Sequence, residues 1–177
     1  MGALMDKVVW VTGSSRGIGA AILNAGGSLA PPGNIEDASE DVWNGTLALN
    51  LTSAFLALKV VLPKMKARRA GNVITVSSAA ARRLSAQSPI PYAAAKAGLQ
   101  VLTQDVASQV GAFGIRVNCI APETILTERN EARIPAQQKT ALVEMHPIKR
   151  LSVPDDVASA AWISGVVLDV AGGSVLA

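Results

Sequence analysis

Three short runs constrain this chain more than anything else in it: "NVITVSS" (Asn72 to Ser78), "GIRVNCIAP" (Gly114 to Pro122) and "GVVLDVAGG" (Gly165 to Gly173). Each is nearly continuous in apolar and β-branched residues and ends in turn residues. Strands of that kind, separated by helical patterns, belong to a parallel sheet covered on both faces, so the expected class is α/β. Between the first two runs a helix is expected from Pro91 to about Gly111. Leu99, Leu102, Val106 and Val110 lie on one side of it, and the proline suits its first turn. Upstream, Leu47, Leu51, Phe55, Leu58, Leu62 and Met65 step by three or four, which is one helical stripe. Pro63 should kink or end that helix, and Gly71 should stop it. "KVVWVTG" (Lys7 to Gly13) reads as an earlier buried strand, and "PDDVASAA" (Pro154 to Ala161) as the start of a short helix behind acidic residues.

The length of 177 residues suits one domain, 1–177, and half the residues are hydrophobic against 16% charged, so the chain is globular. A net charge of +3 is too small to imply nucleic acid. The pairs Arg68-Arg69 and Arg82-Arg83 lack interleaved aromatics and read as solvated loops. Cys119, inside an apolar run, reads as a buried thiol. His146 lies in a polar stretch and reads as a surface residue; with one Cys and one His no zinc site is expected. Asn50, Thr52, Ser53 and Lys59 interrupt the most apolar stretch, so no membrane span is expected. No signal peptide is evident either, and a cytoplasmic location is expected.

"TGSSRGIG" (Thr12 to Gly19) follows the first strand and begins a helical pattern. Glycines there let the backbone turn sharply and approach a pyrophosphate, and a helix N-terminus adds free N–H groups. In "PYAAAKAG" (Pro91 to Gly98) the chain's single tyrosine, Tyr92, stands at i to Lys96 at i+4, on one helix face. The alanines and Gly98 around them leave a bare face against which a nicotinamide riboside has room to lie. A free phenol has a pKa near 10. A neighbouring ammonium is expected to bring it down toward the working range, which suits proton transfer to a carbonyl.

The spacing G-x-x-x-G-x-G, taken with "YAAAK", "LNAGG", "NVITVSS" and "IAPETILT" in this order, resembles the short-chain dehydrogenase/reductase family, nearest to its 3-oxoacyl-[acyl-carrier-protein] reductases. The resemblance implies a Rossmann-type doubly wound parallel sheet and carbonyl–alcohol interconversion with NADP(H) or NAD(H). Arg16, able to pair with a 2′-phosphate, favours NADP(H). It implies Thr12, Gly13, Ser15, Arg16, Gly17, Ile18 and Gly19 as the phosphate turn. Asn24, Ala25 and Gly26 match the family's N-A-G motif beside the cofactor. Tyr92 becomes the acid/base, and Lys96 both tunes it and binds the ribose. Ser78, in preference to Ser77, holds the carbonyl oxygen, and Asn50 anchors a water of the proton relay. Pro122, Ile125 and Thr127 would contact the nicotinamide. A ketone, an alcohol or an acyl thioester is the implied substrate. A homotetramer or homodimer is the implied assembly, with Val60, Val61 and Val101 as apolar residues left over from the core stripes. Arg69 stands where an acidic carrier protein would dock. A non-catalytic binding or regulatory protein on the same fold is the alternative.

Two departures accompany the resemblance. The family's Pro-Gly is Pro122-Glu123 here, and the Arg82-Arg83 loop borders the expected substrate entrance. More seriously, only Ala20 to Leu23 separate Gly19 from Asn24. A parallel crossover needs a dozen residues or more. Part of the nucleotide-binding half is therefore missing, and discontinuities are expected near 20–24 and near Ala161–Trp162.

Overall fold

The computed structural model describes residues 10–13, 19–83, 88–124, 134–147, 149–151 and 167–170. Among these residues the sheet has five strands in the order β1 (Trp10–Gly13), β2 (Gly19–Leu23), β3 (Gly71–Val76), β4 (Ile115–Pro122) and β5 (Val167–Val170). β2 to β5 run parallel, as expected. β1 runs antiparallel to β2 at the edge, with Gly13 opposite Gly19. The chain passes through residues 19–23 as an uninterrupted strand where a discontinuity was expected. The helix expected after the glycine turn is replaced by β2. Residues 161–162, and the helix expected from Pro154, lie outside the described residues.

The helices α2 (Ser53–Arg68) and α3 (Ile90–Val110) stack on β2, β3 and β4 and touch each other, and α1 (Glu40–Leu47) packs against α3. The residues of β3 alternate between buried and half-buried. β4 is buried along nearly its whole length, and the parallel strands with their flanking helices form the Rossmann-type sheet expected from the apolar runs, with α2 and α3 together on one face. The core lies under that face, where Ala21, Leu23, Val73, Ile115 and Val117 meet Leu58, Met65, Leu99, Val106 and Val110. Burying a side chain of this size contributes about 1.5–3 kcal/mol.

α1 starts at Ser39, whose side chain accepts from Val42 N–H. It joins α2 through a π-helical turn, Ala48–Thr52, which rotates Asn50 inward. α2 passes through Pro63 without ending. Pro63 is exposed, so water can satisfy the carbonyl whose N–H partner the proline removes. The helix ends at Arg69, in the left-handed region at φ 53°, and Gly71 opens β3. Arg69 is held there by donating to Ala112 O at 3.0 Å. By length and composition the run Glu40–Arg68 suffices to cross a bilayer. Here it lies on the sheet and turns Asn50, Ser53, Ala54, Leu58 and Met65 inward.

A fourth helix, α4 (Ala136–Met145), was not anticipated. Ala, Gln, Lys, Leu, Glu and Met favour helix, but no apolar stripe marks the segment. His146, just beyond it, is 1% exposed and not a surface residue. Its Nδ1 lies 2.6 Å from Leu142 O, so the turn back from α4 folds the ring inward. Cys119 is buried as expected.

Candidate active site

β3 delivers its last residues to the carboxyl edge of the parallel strands, where ligands of open α/β sheets gather. Ser77 and Ser78 follow it and separate in role. Ser77 is buried, donates to Lys96 O at 2.9 Å and accepts from Gln100 Nε2 at 3.0 Å. It is a packing residue that locks α3 to β3. Ser78 is half-buried, accepts from Ala80 N–H at 3.2 Å and shares a hydrogen bond with Tyr92.

α3 carries Tyr92 and Lys96 one turn apart. Lys96 is 3% exposed and donates from Nζ to Val76 O at 2.6 Å, with Nζ 5.7 Å from the centre of the Tyr92 ring. Not all the small residues around them form a bare face. Ala95 is buried, and at Gly98 a Cβ would lie 3.1 Å from Leu51 Cδ2, so this side of α3 serves close packing.

Asn50 is fully buried. Its Oδ1 accepts from Gly27 N–H at 2.9 Å, and its Nδ2 donates to Gly27 O and to Thr46 O, both at 2.8 Å. The amide thus clamps the segment after Asn24 and Ala25 in two directions. Gly26 sits in the angle of that clamp. A Cβ there would run into Asn50 Oδ1 and lie 2.9 Å from Lys96 Nζ. The π-helical turn is the local device that aims Asn50 inward, and such turns recur at functional sites.

Burial dominates the electrostatics. It raises Tyr92 above its ordinary value, with the Ser78 hydrogen bond opposing. Lys96 was expected to lower this phenol, but it is not among the groups that move it. Its ammonium points at Val76 O, and loss of water is the larger effect. Lys96 is itself pushed down to about 8 by burial, with Cys119 opposing. Between about pH 8 and 10.5 the folded chain has lost this proton while the unfolded chain still holds it, so the Lys96 contribution makes stability rise with pH there. Tyr92 and Cys119, both raised by burial, act in the opposite sense at the alkaline end. The stability of the wild type relative to Lys96→Met therefore increases from pH 8 to 10 in denaturant titrations. A flat or falling difference would show that Lys96 is not held in this buried setting.

The loop after β3 and the loop after β4 are tied together by Arg83 Nη2 and Glu123 Oε2 at 2.7 Å. Glu123, standing where the family has glycine, thus has a partner, and Arg83 is not simply solvated. No sequence signal pairs positions 83 and 123. Between residues 30–39 and Ile90–Pro91 at the start of α3 lies a groove of about 360 Å³, lined by Pro31, Pro32, Val42, Asn34 and Asp37 among others.

The structure gathers Asn24 to Gly26, Asn50, Ser78, Tyr92 and Lys96 around this edge, and Pro122 ends β4 beside them. It does not bring Thr12, Gly13 or Gly19 there, because β1 and the start of β2 lie at the opposite edge. Ser15, Arg16, Gly17, Ile18, Ile125 and Thr127 lie outside the described residues. Sequence reasoning missed Gly27, since a clamp spanning 23 residues leaves no local pattern, and Thr46, one turn before Asn50, contributes only a backbone carbonyl that any residue there would supply.

Known proteins resemble the chain over most of its length. A family model described as enoyl-(acyl carrier protein) reductase matches residues 4–163. Dehydrogenase/reductase SDR family member 4 of Rattus norvegicus is 34% identical over 80% of this chain and 54% of its own. The cyclohexanol dehydrogenase of a Rhodococcus species is 30% identical over 96% of this chain and 67% of its own. The crystal structure of a 3-oxoacyl-[acyl-carrier protein] reductase with bound NAD from Brucella melitensis is similar with a TM-score of 0.78 at 28% identity, covering 87% of this chain and 61% of that one. The chain spans between about half and two thirds of the length of these proteins.

Proposed function

The chain belongs to the short-chain dehydrogenase/reductase family, and from that premise we propose that its site interconverts a carbonyl and an alcohol, with Tyr92 as the proton donor and acceptor. The convergence of Ser78, Tyr92, Lys96 and Asn50 on one edge of the sheet carries this reading. Ser78 donates a hydrogen bond to the carbonyl oxygen and holds it beside the phenol, and the Tyr92 O–H supplies the proton to that oxygen. Lys96 places a positive charge behind the phenol and fixes α3 to β3 through Val76 O. Asn50 keeps the Gly26–Gly27 backbone close to Lys96 and the site closed.

Relatives named for their cofactor or substrate point to a nicotinamide nucleotide as hydride carrier. The residues here fit only one end of it. Tyr92 and Lys96 offer donors to a riboside, whereas Gly13 and Gly19, expected at the phosphates, lie at the other end of the parallel strands. The described residues offer no place for the phosphates of a whole dinucleotide. Arg16, the basis for favouring NADP(H) over NAD(H), belongs to that same turn.

The substrate class is a small ketone or alcohol. A 3-oxoacyl thioester on a carrier protein is less well supported, because Arg69 is engaged with Ala112 O and stacks on Phe113 at 5.9 Å. Loss of turnover in Tyr92→Phe, made in a chain whose connection between Gly19 and Asn24 is restored to family length, tests the reaction. The non-catalytic reading draws on one observation, the placement of Gly13 and Gly19 at the end of the sheet away from Tyr92. Against it stands the retention of all four site residues, which a binding module does not need.

Phe55, Leu56, Val60 and Val101 are exposed on α2 and α3, with Val60 at 63%. Val61 instead packs partly against the core. A homodimer or homotetramer covering this face is proposed, in a cytoplasmic setting. Light scattering at micromolar concentration should then give at least twice the chain mass, and Val60→Glu with Val101→Glu should reduce it to one. A single-chain mass for the wild type excludes the assembly.

A further inference from the structure

We infer that this chain, as its sequence stands, keeps the proton-transfer centre of its family while its described residues provide no place to hold the phosphates of a nicotinamide dinucleotide. The inference rests on the reading of the site given above, and goes beyond it.

Chain length is the first reason. Only Ala20 to Leu23 lie between Gly19 and Asn24. Returning β1 to a parallel position beside the strand that precedes Asn24 takes a crossover of a dozen residues or more. With Gly13 only six positions before Gly19, the two strands can neighbour each other only antiparallel, which is what forms. Direction then decides the outcome. Gly13 pairs with Gly19, and Ala20 pairs with Asn72, so this pair of glycines stands level with the amino-terminal start of β3. Ser78 lies at the other end of the same strand, about 20 Å away at roughly 3.3 Å per residue.

The loss of the helix is the second reason. A glycine turn binds pyrophosphate because it opens a helix whose first N–H groups have no partner. Here the residues after Gly19 enter β2, and the backbone of Ala20 to Leu23 is taken up in the ladder with β3. Those groups are already paired across the sheet and have nothing to offer an anion. The site at the carboxyl edge retains the riboside contacts alone, and most of the affinity that charged phosphates would supply is absent.

The test uses two proteins: the unaltered 177-residue chain, and the same chain carrying the crossover segment of the Rhodococcus cyclohexanol dehydrogenase between Gly19 and Asn24. NADH and NADPH are titrated into each, followed by nicotinamide fluorescence, and thermal melts are recorded with and without nucleotide. A nucleotide at about a hundredfold excess over its Kd raises Tm by roughly 5–10 °C for a chain of this size. The unaltered chain is expected to melt cooperatively with Tm unmoved by either nucleotide at millimolar concentration. The restored chain is expected to bind saturably and to show the shift. Micromolar binding to the unaltered chain overturns the inference. So does failure of the restored chain to bind, and so does an unaltered chain without a cooperative melt. Binding to the restored chain without turnover upholds this inference and sinks the reaction proposed for Tyr92.

Discussion

Tyr92→Phe, made in the chain with its crossover restored, lowers kcat by about 10²- to 10⁴-fold, the usual contribution of a positioned acid or base. The change removes one hydroxyl. The ring stays half-buried at the start of α3, and among the described residues the hydrogen-bond partner that changes is Ser78. Fold and nucleotide affinity should therefore hold, so the loss appears in kcat and in kcat/KM alike. Lys96→Met behaves differently. It removes the ammonium behind the phenol and the bond to Val76 O together, so turnover falls and nucleotide binding weakens as well. NADPH and NADH oxidation against a panel of ketones and 3-oxoacyl thioesters measures both. If Tyr92→Phe keeps more than about a tenth of the wild-type kcat on any accepted substrate, Tyr92 is not the proton donor.

Gly26→Ala is expected to damage the site more than its size suggests, and Gly27→Ala hardly at all. A methyl group at 26 collides with Asn50 Oδ1 and sits 2.9 Å from Lys96 Nζ, whereas at 27 it meets nothing within 4 Å. Asn50 is fully buried and has nowhere to retreat. Its displacement breaks the paired bonds to Gly27 N–H and Gly27 O. Leaving a buried amide unsatisfied costs about 1–3 kcal/mol, a fall in Tm of roughly 3–10 °C for a chain of this length. Turnover of the restored chain should fall at least tenfold with it, because the clamp and Lys96 move together. Melts and steady-state rates of the two alanine variants, compared side by side, decide the matter. Equal effects at 26 and 27 would mean that the clamp on Asn50 is not what the glycine protects.

Much of this protein was legible without coordinates, wherever the determining physics is local. β3 and β4 follow from apolar, β-branched runs, and α3 follows from a proline start and a periodic stripe. Tyr92 and Lys96 meet because residues four apart on a helix are neighbours. The burial of Cys119 follows from the apolar run that holds it. The shortened connection before Asn24 was also plain in the sequence, since residue count alone limits what a crossover can span. Tertiary structure decided the rest, because it rests on contacts between distant segments and on removal of water. The direction of β1 depends on which neighbour the short connection lets it reach. Asn50 finds Gly27 across 23 residues, and Arg83 finds Glu123 across 40. His146 is turned inward by the chain's path beyond α4. The pKa of Tyr92 moves up and not down because burial outweighs the hydrogen bond with Ser78. A sequence shows that Tyr92 and Lys96 share a helix face; only the folded chain shows how little water reaches them.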